Sequence, residues 1–440
     1  MQDFKNYVGG KKITLMGLGL LGRGLGDAIF LAEHGAELIV TDLRNEKTLA
    51  PSLKKLKKYK DIRYTLGKHK LDDFRNRDFI LKAAGVPLDS PSIAEARENK
   101  IPIEMDASLF AKLMPKGVIL VGVTGTRGKS TTTALIYEML KAGDKSVYRG
   151  GNLVAEATLP LLKRIRAGNI VVLELDSWQL QGFHDSKISP NVAVFTTFLD
   201  DHLIYYHGDR KKYLEDKTAI FQYQKKGDVL VVGEQAASFI SSQSSVVARS
   251  ADIPKDWKVK LLGEHNRENI ACALAAARAL GVSDSVMKKV VERFKGVAGR
   301  LEYLRTVRGV KIYNDNNATT PDATVAALKA LGGRGSTSRR IVLICGGTDK
   351  GLDMSKLVAE IPKHCKEVIL LKESGTEKLK KELANFTEKE TLQECVEEAI
   401  KIATKGDIVL FSPAFASFGK WFKNEYDRGA QFVEEIRCLK

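Results

Sequence analysis

Gly122-Val-Thr-Gly-Thr-Arg-Gly-Lys-Ser-Thr131 stands between an apolar run, Val118 to Val121, and a segment of helical period, Lys129 to Lys141. A glycine-rich turn between a strand and a helix exposes successive backbone N–H groups at the positive end of the helix dipole. Phosphate oxygens can be held there with no side chain in the way. Lys129 can reach terminal phosphates, and the hydroxyl of Ser130 or Thr131 can ligate the magnesium that accompanies a nucleotide. The match to the general loop GxxxxGK[ST] is imperfect, because Val123 takes the place of the first glycine and Gly122 lies one residue earlier. Strand, turn, Gly-Lys-Ser and helix still occur in the required order. Gly125, Thr126, Arg127, Gly128, Lys129, Ser130 and Thr131 are therefore the expected nucleotide-binding residues.

Outward from this loop the chain alternates strand and helix. On the amino-terminal side, Lys11 to Met16 is a short strand, Asp27 to His34 suits a helix and Glu37 to Thr41 a second strand, which together make a βαβ unit. The pattern restarts near Lys112, runs through the phosphate loop and reaches a buried-type strand at Ile170 to Leu175. A third set follows Gly299, with strands at Lys311 to Tyr313, Ile341 to Cys345 and Ile408 to Phe411 and a helix at Asp322 to Leu331. Met114 to Gly117 and Gly296 to Gly299 read as linkers. The polar stretch Ser238 to Ser250 reads as a loop or an irregular edge. The expected fold is α/β in three domains: a Rossmann-like domain over 1–112, a central P-loop ATPase-type domain over 113–299 and a Rossmann-like domain over 300–440. Three domains also suit 440 residues at ~150 per domain.

Apolar residues at 44 % and charged residues at 28 % are ordinary for a globular chain, which argues against disorder. No apolar run reaches the ~18 residues needed to span a bilayer, and the start MQDFKNYVGGKK lacks a signal-peptide core, so a cytoplasmic protein without membrane association is expected. Cys272, Cys345, Cys365, Cys395 and Cys438 form no CxxC pair and imply reduced thiols. The net charge of +16 would suit a polyanion. The densest run, Lys54 to Lys60, nonetheless places Leu56 and Tyr59 among lysines as a solvated helix face does, and no nucleic-acid motif is visible. A monomer acting on small substrates, with no nucleic-acid partner, is the expectation.

Gly17-x-Gly19-x-x-Gly22 follows the first strand and has Asp42 at the end of the next, twenty residues on, which is the dinucleotide fingerprint. Alone it would argue for an NAD-dependent dehydrogenase. A chain with a separate ATP loop has little need of NAD.

The form GxTGTxGKST resembles the Mur ligases, the ATP-dependent amino-acid ligases of peptidoglycan precursor synthesis. An ordered series extends the resemblance over nearly the whole chain: Gly151-Asn152, Glu174-Leu-Asp-Ser-Trp-Gln-Leu180, Asp201-His202-Leu203, Lys217, Gly263-Glu-His-Asn-Arg-Glu-Asn269, Gly299-Arg300, Asn314-Asp315 and Ser412-Pro-Ala.

The resemblance implies roles. Lys129 and Arg300 neutralise the transferring phosphoryl group. Glu174, at the end of a buried strand where a carboxylate can complete the shell of a hard cation, is similar to the family's magnesium glutamate. His202 resembles the histidine that reaches a second magnesium, Lys217 aligns with a lysine that is carbamylated to become an anionic metal ligand, and Ser130 completes the metal set for two Mg2+ ions. Asn266 and Asn269, three apart on a presumed helix, would contact adenine, and Asp315 the ribose of ATP. The first glycine turn would hold the pyrophosphate of a uridine-diphosphate sugar, with Gly19, Leu20, Leu21, Asp42, Arg44, Gly85 and Asn152 lining that site.

Among the family's successive rungs, the short first domain and the ending SPAFASFGKWFKNEYDRG most resemble the one that joins D-glutamate to UDP-N-acetylmuramoyl-L-alanine. Its amino-acid contacts fall on Thr319, Lys350 and Ser417. The implied chemistry is phosphorylation of the substrate carboxylate, then attack of the amine on the acyl phosphate, with release of ADP and phosphate. Departures concern the amino acid: Asn317 replaces a usual lysine, Asp176 and Trp178 replace small and phenylalanine residues, and the terminal motif is one residue longer around Trp421 and Phe422. A folylpolyglutamate synthase or an L-glutamate-adding relative would share the loop and metals.

Overall fold

The computed structural model describes residues 4–152, 157–202, 205–240, 245–332, 339–417 and 421–439. Leu203 of the Asp-His-Leu run, residues 241–244 of the polar stretch and residues 418–420 of the terminal motif lie outside the described residues.

Three sheets account for the strands. The first contains β1 (Lys12–Met16), β2 (Glu37–Asp42), β3 (Ile62–Leu66), β4 (Phe79–Lys82) and β5 (Ile103–Glu104), all parallel in the order β3-β2-β1-β4-β5. Helices α1 (Arg23–Glu33), α2 (Glu46–Leu56), α3 (Pro91–Glu98) and α4 (Asp106–Leu113) belong to this region. α1 starts four residues earlier than its sequence suggests. Gly24 and Gly26, which weaken helix propensity, are required there because a Cβ would lie 2.5 Å from the Gly17 carbonyl oxygen and 2.7 Å from Ala157 Cβ respectively. The lysine run follows expectation only in part. Its lysines stand around a fully buried Leu56, but the helix ends at Leu56.

The second sheet contains β6 (Ile119–Thr124), β7 (Val147–Gly151), β8 (Ile170–Glu174), β9 (Val192–Phe195), β10 (Val229–Gly233) and β11 (Ser245–Ala248), ordered β11-β10-β9-β6-β8-β7. Its inner strands are continuous apolar runs, as strands covered on both faces must be. β6 runs on through Thr124, so Gly122 and Val123 are strand residues and the loop opens only at Gly125. Gly122 is small because Pro190 Cγ would lie 2.5 Å from its Cβ. Part of the polar stretch forms the edge strand β11. Helices α5 (Lys129–Ala142), α6 (Ser177–Ser186) and α7 (Arg210–Gln222) accompany this sheet. α6 begins with a capping box in which Asp176 accepts from the Gln179 N–H.

After α8 (Glu264–Ala279) comes the third sheet, with β12 (Glu302–Val307), β13 (Val310–Asn314), β14 (Ile341–Cys345), β15 (Cys365–Leu371), β16 (Thr387–Lys389) and β17 (Ile408–Phe411). The order is β12-β13-β17-β14-β15-β16, and only β12 with β13 is antiparallel. α9 (Pro321–Gly332) and α10 (Glu425–Cys438) complete the set used below. Cys272, Cys345, Cys365 and Cys395 are buried and Cys438 is exposed.

Packing groups the chain into two compact units. One is Met1–Phe198, Asp209–Arg249 and Ala271–Val290, and the other Leu199–Gly208, Ser250–Ile270 and Val291–Lys440. The first two sheets therefore belong to one unit and the third to the other. Among the described residues no helix is long and apolar enough to cross a membrane.

Candidate functional site

In parallel sheets, binding residues collect at the carboxyl ends of the strands, and the residues expected from sequence to bind ligands lie near such ends. In the second sheet, β6 lies between β8 and β9, with Val123 opposite Glu174 and Thr124 opposite Phe195. Three strand ends thus deliver the loop at Gly125, Glu174 and Thr196 to one edge. Gly125 has φ 140° and Gly128, the N-cap of α5, has φ 87°, both in the region that favours glycine. Neighbouring threonines hold the loop: the Thr126 N–H donates to the Thr197 carbonyl at 2.7 Å and the Arg127 N–H to Thr197 Oγ1 at 2.8 Å. The Arg127 guanidinium turns back onto the Thr126 carbonyl at 3.0 Å.

Lys129 folds over the loop, its Nζ donating to the carbonyls of Gly125 at 2.9 Å and Thr126 at 3.1 Å. Lys217, on α7 and 2 % exposed, donates to the same Gly125 carbonyl at 3.1 Å. Two ammonium groups separated by 88 positions in sequence therefore meet on one oxygen of the glycine loop. Ser130 and Thr131 are buried in the first turn of α5.

Glu174 is 2 % exposed and its Oε2 has no hydrogen-bond partner among the described residues. A buried carboxylate oxygen left unsatisfied by protein is costly, and a hard cation is the species that satisfies it best. The residues present thus fit a divalent metal. Gly151 is obligatory beside it, because a Cβ there would lie 2.2 Å from the Glu174 carbonyl oxygen. The same carbonyl receives the Asn152 N–H at 2.8 Å.

In the first sheet, the loop Gly17 to Gly22 leaves β1 with Asp42 at the end of neighbouring β2. The Asp42 carboxylate accepts the N–H of Gly19 at 2.8 Å and of Arg44 at 2.8 Å, and its Oδ1 lies 3.5 Å from the Arg44 guanidinium. Asp42 is 2 % exposed, so its first task is to hold this loop and the Arg44 turn together. Leu20 is exposed, and Leu21 and Arg44 are partly or largely so. Gly85 follows β4 on the other side of β1. Asn152 joins this group because Arg23, in the first turn of α1, donates to its carbonyl at 3.1 Å.

The other unit holds the remaining residues. His202 has φ 55°, and its backbone N–H donates to Asp201 Oδ1 at 2.9 Å. Lys350 Nζ lies 3.7 Å from the same Asp201 oxygen and donates to Thr319 Oγ1 at 3.2 Å. Asp201 thus brings His202 together with Thr319 and Lys350. Ser417 is buried next to the bridge between Thr348 and Ala416, which joins the loop carrying Lys350 to the loop carrying Ser417.

Arg428, fully buried on α10, donates to both Oδ1 and the carbonyl of Asn316 and to the carbonyls of Phe415 and Ala416. Burial pulls its pKa down to about 10. Asp315 accepts from the Leu301 N–H at 2.9 Å and from Ser412 Oγ at 2.8 Å, and burial pushes its pKa up to about 7 against those hydrogen bonds and the Arg300 charge. Asn269 Nδ2 donates to Asn266 Oδ1 at 3.1 Å on α8, so the two amides share a face as their spacing implies. Asn317, where a lysine is usual, bridges Asn316 and the Ala298 carbonyl.

Three family descriptions match in order: a MurD-like Mur ligase N-terminal domain over residues 11–104, a Mur ligase middle domain over 123–246 and a Mur ligase glutamate ligase domain over 299–415. A protein of Roseiflexus sp. (strain RS-1) named UDP-N-acetylmuramoylalanine--D-glutamate ligase is 37 % identical over 466 residues, spanning 96 % of this chain and 97 % of its own. The chain belongs to the Mur ligase family. A protein of the same name from Borreliella burgdorferi (strain ZS7) is 35 % identical, with 100 % and 99 % of the two chains covered. Among solved Mur ligases, the UDP-N-acetylmuramate-alanine ligase MurC of Thermotoga maritima aligns with TM-score 0.64 at 22 % identity, covering 98 % of this chain and all of the other. MurF of the same organism, solved with ADP, aligns at 0.59 and 18 % identity, over 98 % and 96 %. At such identities these two show the shared three-domain α/β fold.

Several residues that shape this Mur ligase site escape a reading of sequence. Thr196 and Thr197 end an apolar strand run just as Glu174 does, which was the signal available. Arg23 and Arg428 carried no signal among 70 basic residues. Asp201 opens the Asp-His-Leu motif, but its tie to Lys350 spans 149 positions.

Proposed function

We propose that this Mur ligase joins D-glutamate to UDP-N-acetylmuramoyl-L-alanine in peptidoglycan precursor synthesis, converting ATP to ADP and phosphate through an acyl phosphate. The observation that carries the reading is the meeting of Lys129 and Lys217 on the Gly125 carbonyl, in a sheet whose neighbouring strand ends in the unsatisfied Glu174 oxygen. Full-length likeness to D-glutamate ligases supports the choice of substrates.

Residues 1–112 would bind the UDP sugar through Gly19, Leu20, Leu21, Asp42, Arg44 and Gly85, with Asn152 reaching in from the central region. Residues 113–299 would bind ATP through Gly125 to Thr131, Asn266 and Asn269. Residues 300–440 would supply Arg300 to the phosphates, Asp315 to the ribose, and Thr319, Lys350 and Ser417 to the amino acid. Glutamate brings two carboxylates, and an ammonium with hydroxyl donors suits them.

Ser130, Glu174, His202 and a carbamylated Lys217 would hold Mg2+, which when bound offsets negative charge on the transferring phosphoryl group. In this chain, Lys129 gives up loop carbonyls to take phosphate oxygens, and Arg300 adds a second fixed cation. The carboxylate of the UDP-linked substrate attacks the terminal phosphorus, which turns a poor leaving group into phosphate. The glutamate amine then attacks the acyl carbon and phosphate departs. Water must be kept away while the acyl phosphate exists.

The test is phosphate release by purified protein with ATP and UDP-N-acetylmuramoyl-L-alanine, offered D-Glu, L-Glu or meso-diaminopimelate. Turnover with D-Glu alone is expected. Preference for L-Glu would move the protein to another rung, and amino-acid-independent turnover would end the ligase reading.

A further inference from the structure

Lys82, the last residue of β4, is 1 % exposed, and the phosphoryl chemistry makes no use of it. Buried lysines normally pair with a carboxylate. This one donates instead to three carbonyl oxygens of the turn that follows it: Val86 at 2.7 Å, Ala84 at 3.0 Å and Ala83 at 3.2 Å. The turn lies against the first glycine loop, since a Cβ at Gly17 would lie 2.8 Å from Ala83 Cβ.

A trans peptide unit points its N–H opposite to its C=O. Gathering the carbonyls of Ala83 and Ala84 inward onto one ammonium therefore turns the N–H groups of Ala84 and Gly85 the other way. Neither N–H has an acceptor among the described residues, and Gly85 is exposed. Backbone N–H groups presented together in this manner make an anion-binding or acceptor-binding surface. The third carbonyl precedes Pro87, which has no N–H to offer, so that contact anchors the end of the turn.

We infer that Lys82 is a positioning residue for the UDP-linked substrate, holding the Ala83 to Val86 turn so that its amides face the nucleotide sugar. The inference rests on the proposal that Gly85 belongs to that binding site. Burial draws the Lys82 ammonium down to about 8, while Asp176, the N-cap of α6, Asp185 of α6 and Asp216 of α7 support its charge and Arg97 of α3 opposes it. The grip on the turn should accordingly weaken as pH rises through that value.

Steady-state kinetics of the full chain with K82M, K82R, D42N and R44A test this. K82M is expected to raise the KM for UDP-N-acetylmuramoyl-L-alanine about tenfold at pH 7, with kcat at saturation and the KM for ATP changed less than about twofold. K82R, whose guanidinium stays charged, should bring the KM back toward wild type and remove the rise in wild-type KM above about pH 8. An unchanged substrate KM in K82M, or an equal rise in the KM for ATP, overturns the inference. If D42N and R44A raise the substrate KM while K82M does not, the site reading stands and the Lys82 inference falls. If none of the three moves it, both fall. Should K82M not melt cooperatively, the wild-type pH profile decides, and a flat profile between pH 7 and 9.5 counts against Lys82.

Discussion

The loops after β1 and β6 are built to one backbone plan and differ in what lies behind them. Gly22 and Gly128 cap their helices with φ 92° and 87° and the same ψ of −17°, and the next residue is basic in each case, Arg23 and Lys129. Behind the first loop stands a carboxylate, Asp42, that takes the Gly19 N–H. Behind the second stand threonines, and its basic residue folds over its own carbonyls while Arg23 reaches away to Asn152. A fixed negative charge behind a turn lowers its appetite for phosphate, and an ammonium above a turn raises it. On the function proposed above, the same fold element would thereby be tuned to a diphosphate already esterified at both ends in one sheet and to a terminal phosphoryl group in the other.

The sharpest way to break this contrast is to remove the basic residue from each. Lys129→Ala should lower kcat/KM for ATP about 10³-fold, whereas Arg23→Ala should raise the KM for the UDP substrate about tenfold or less. Comparable losses in steady-state kinetics would mean that the loops are not specialised. The glycines give the next largest difference. A Cβ at Gly125 would lie 2.1 Å from Thr196 Oγ1, but one at Gly19 meets nothing within 4 Å. Gly125→Ala should destabilise by about 3 kcal/mol and Gly19→Ala by about 1 kcal/mol, the latter from its φ of +63° alone, as read by urea unfolding.

The buried acids extend the comparison across sheets. Asp315 directly follows β13 and, like Asp42, accepts a backbone N–H, but burial lifts its pKa to about 7. An acid whose pKa is raised on folding stabilises the fold below its unfolded pKa near 4, and that contribution fades as pH rises toward 7. Stability should therefore fall across pH 4 to 7 by up to about 1.4 kcal/mol per unit, and Asp315→Asn should flatten that slope in denaturation curves. The smallest effect expected is that of Asp42→Asn, which keeps one acceptor for the two N–H groups. A rise of about threefold in the KM for the UDP substrate, with the ATP KM unmoved, would show that Asp42 works by arranging its own loop.

Much of this was legible in sequence wherever local chemistry suffices. Continuous apolar runs gave the strands, and Gly-Lys-Ser after one of them gave the nucleotide loop. Reading failed where a residue answers to a distant neighbour. Gly122 looks like the start of a turn, yet it sits inside β6 and is a glycine because Pro190 needs the space. Gly24 and Gly26 hid the first turn of α1 for the same kind of reason. Lys217 has no periodicity or motif of its own to mark it, and only the tertiary fold sets its Nζ on the Gly125 carbonyl. Asn266 and Asn269 fared better, since helical spacing alone puts their amides side by side.

The distribution of sulfur has a practical corollary. Burial raises the pKa of Cys345, Cys365 and Cys395, leaving little thiolate at neutral pH, and Cys272 is also enclosed, while Cys438 closes α10 in contact with solvent. A maleimide dye or spin label added to the native, unmutated chain should attach at that one sulfur, at the far end of the helix whose Arg428 grips the loop beside Ser417. Spectroscopic changes on adding glutamate would then report from the side of the proposed amino-acid site without engineering a single position.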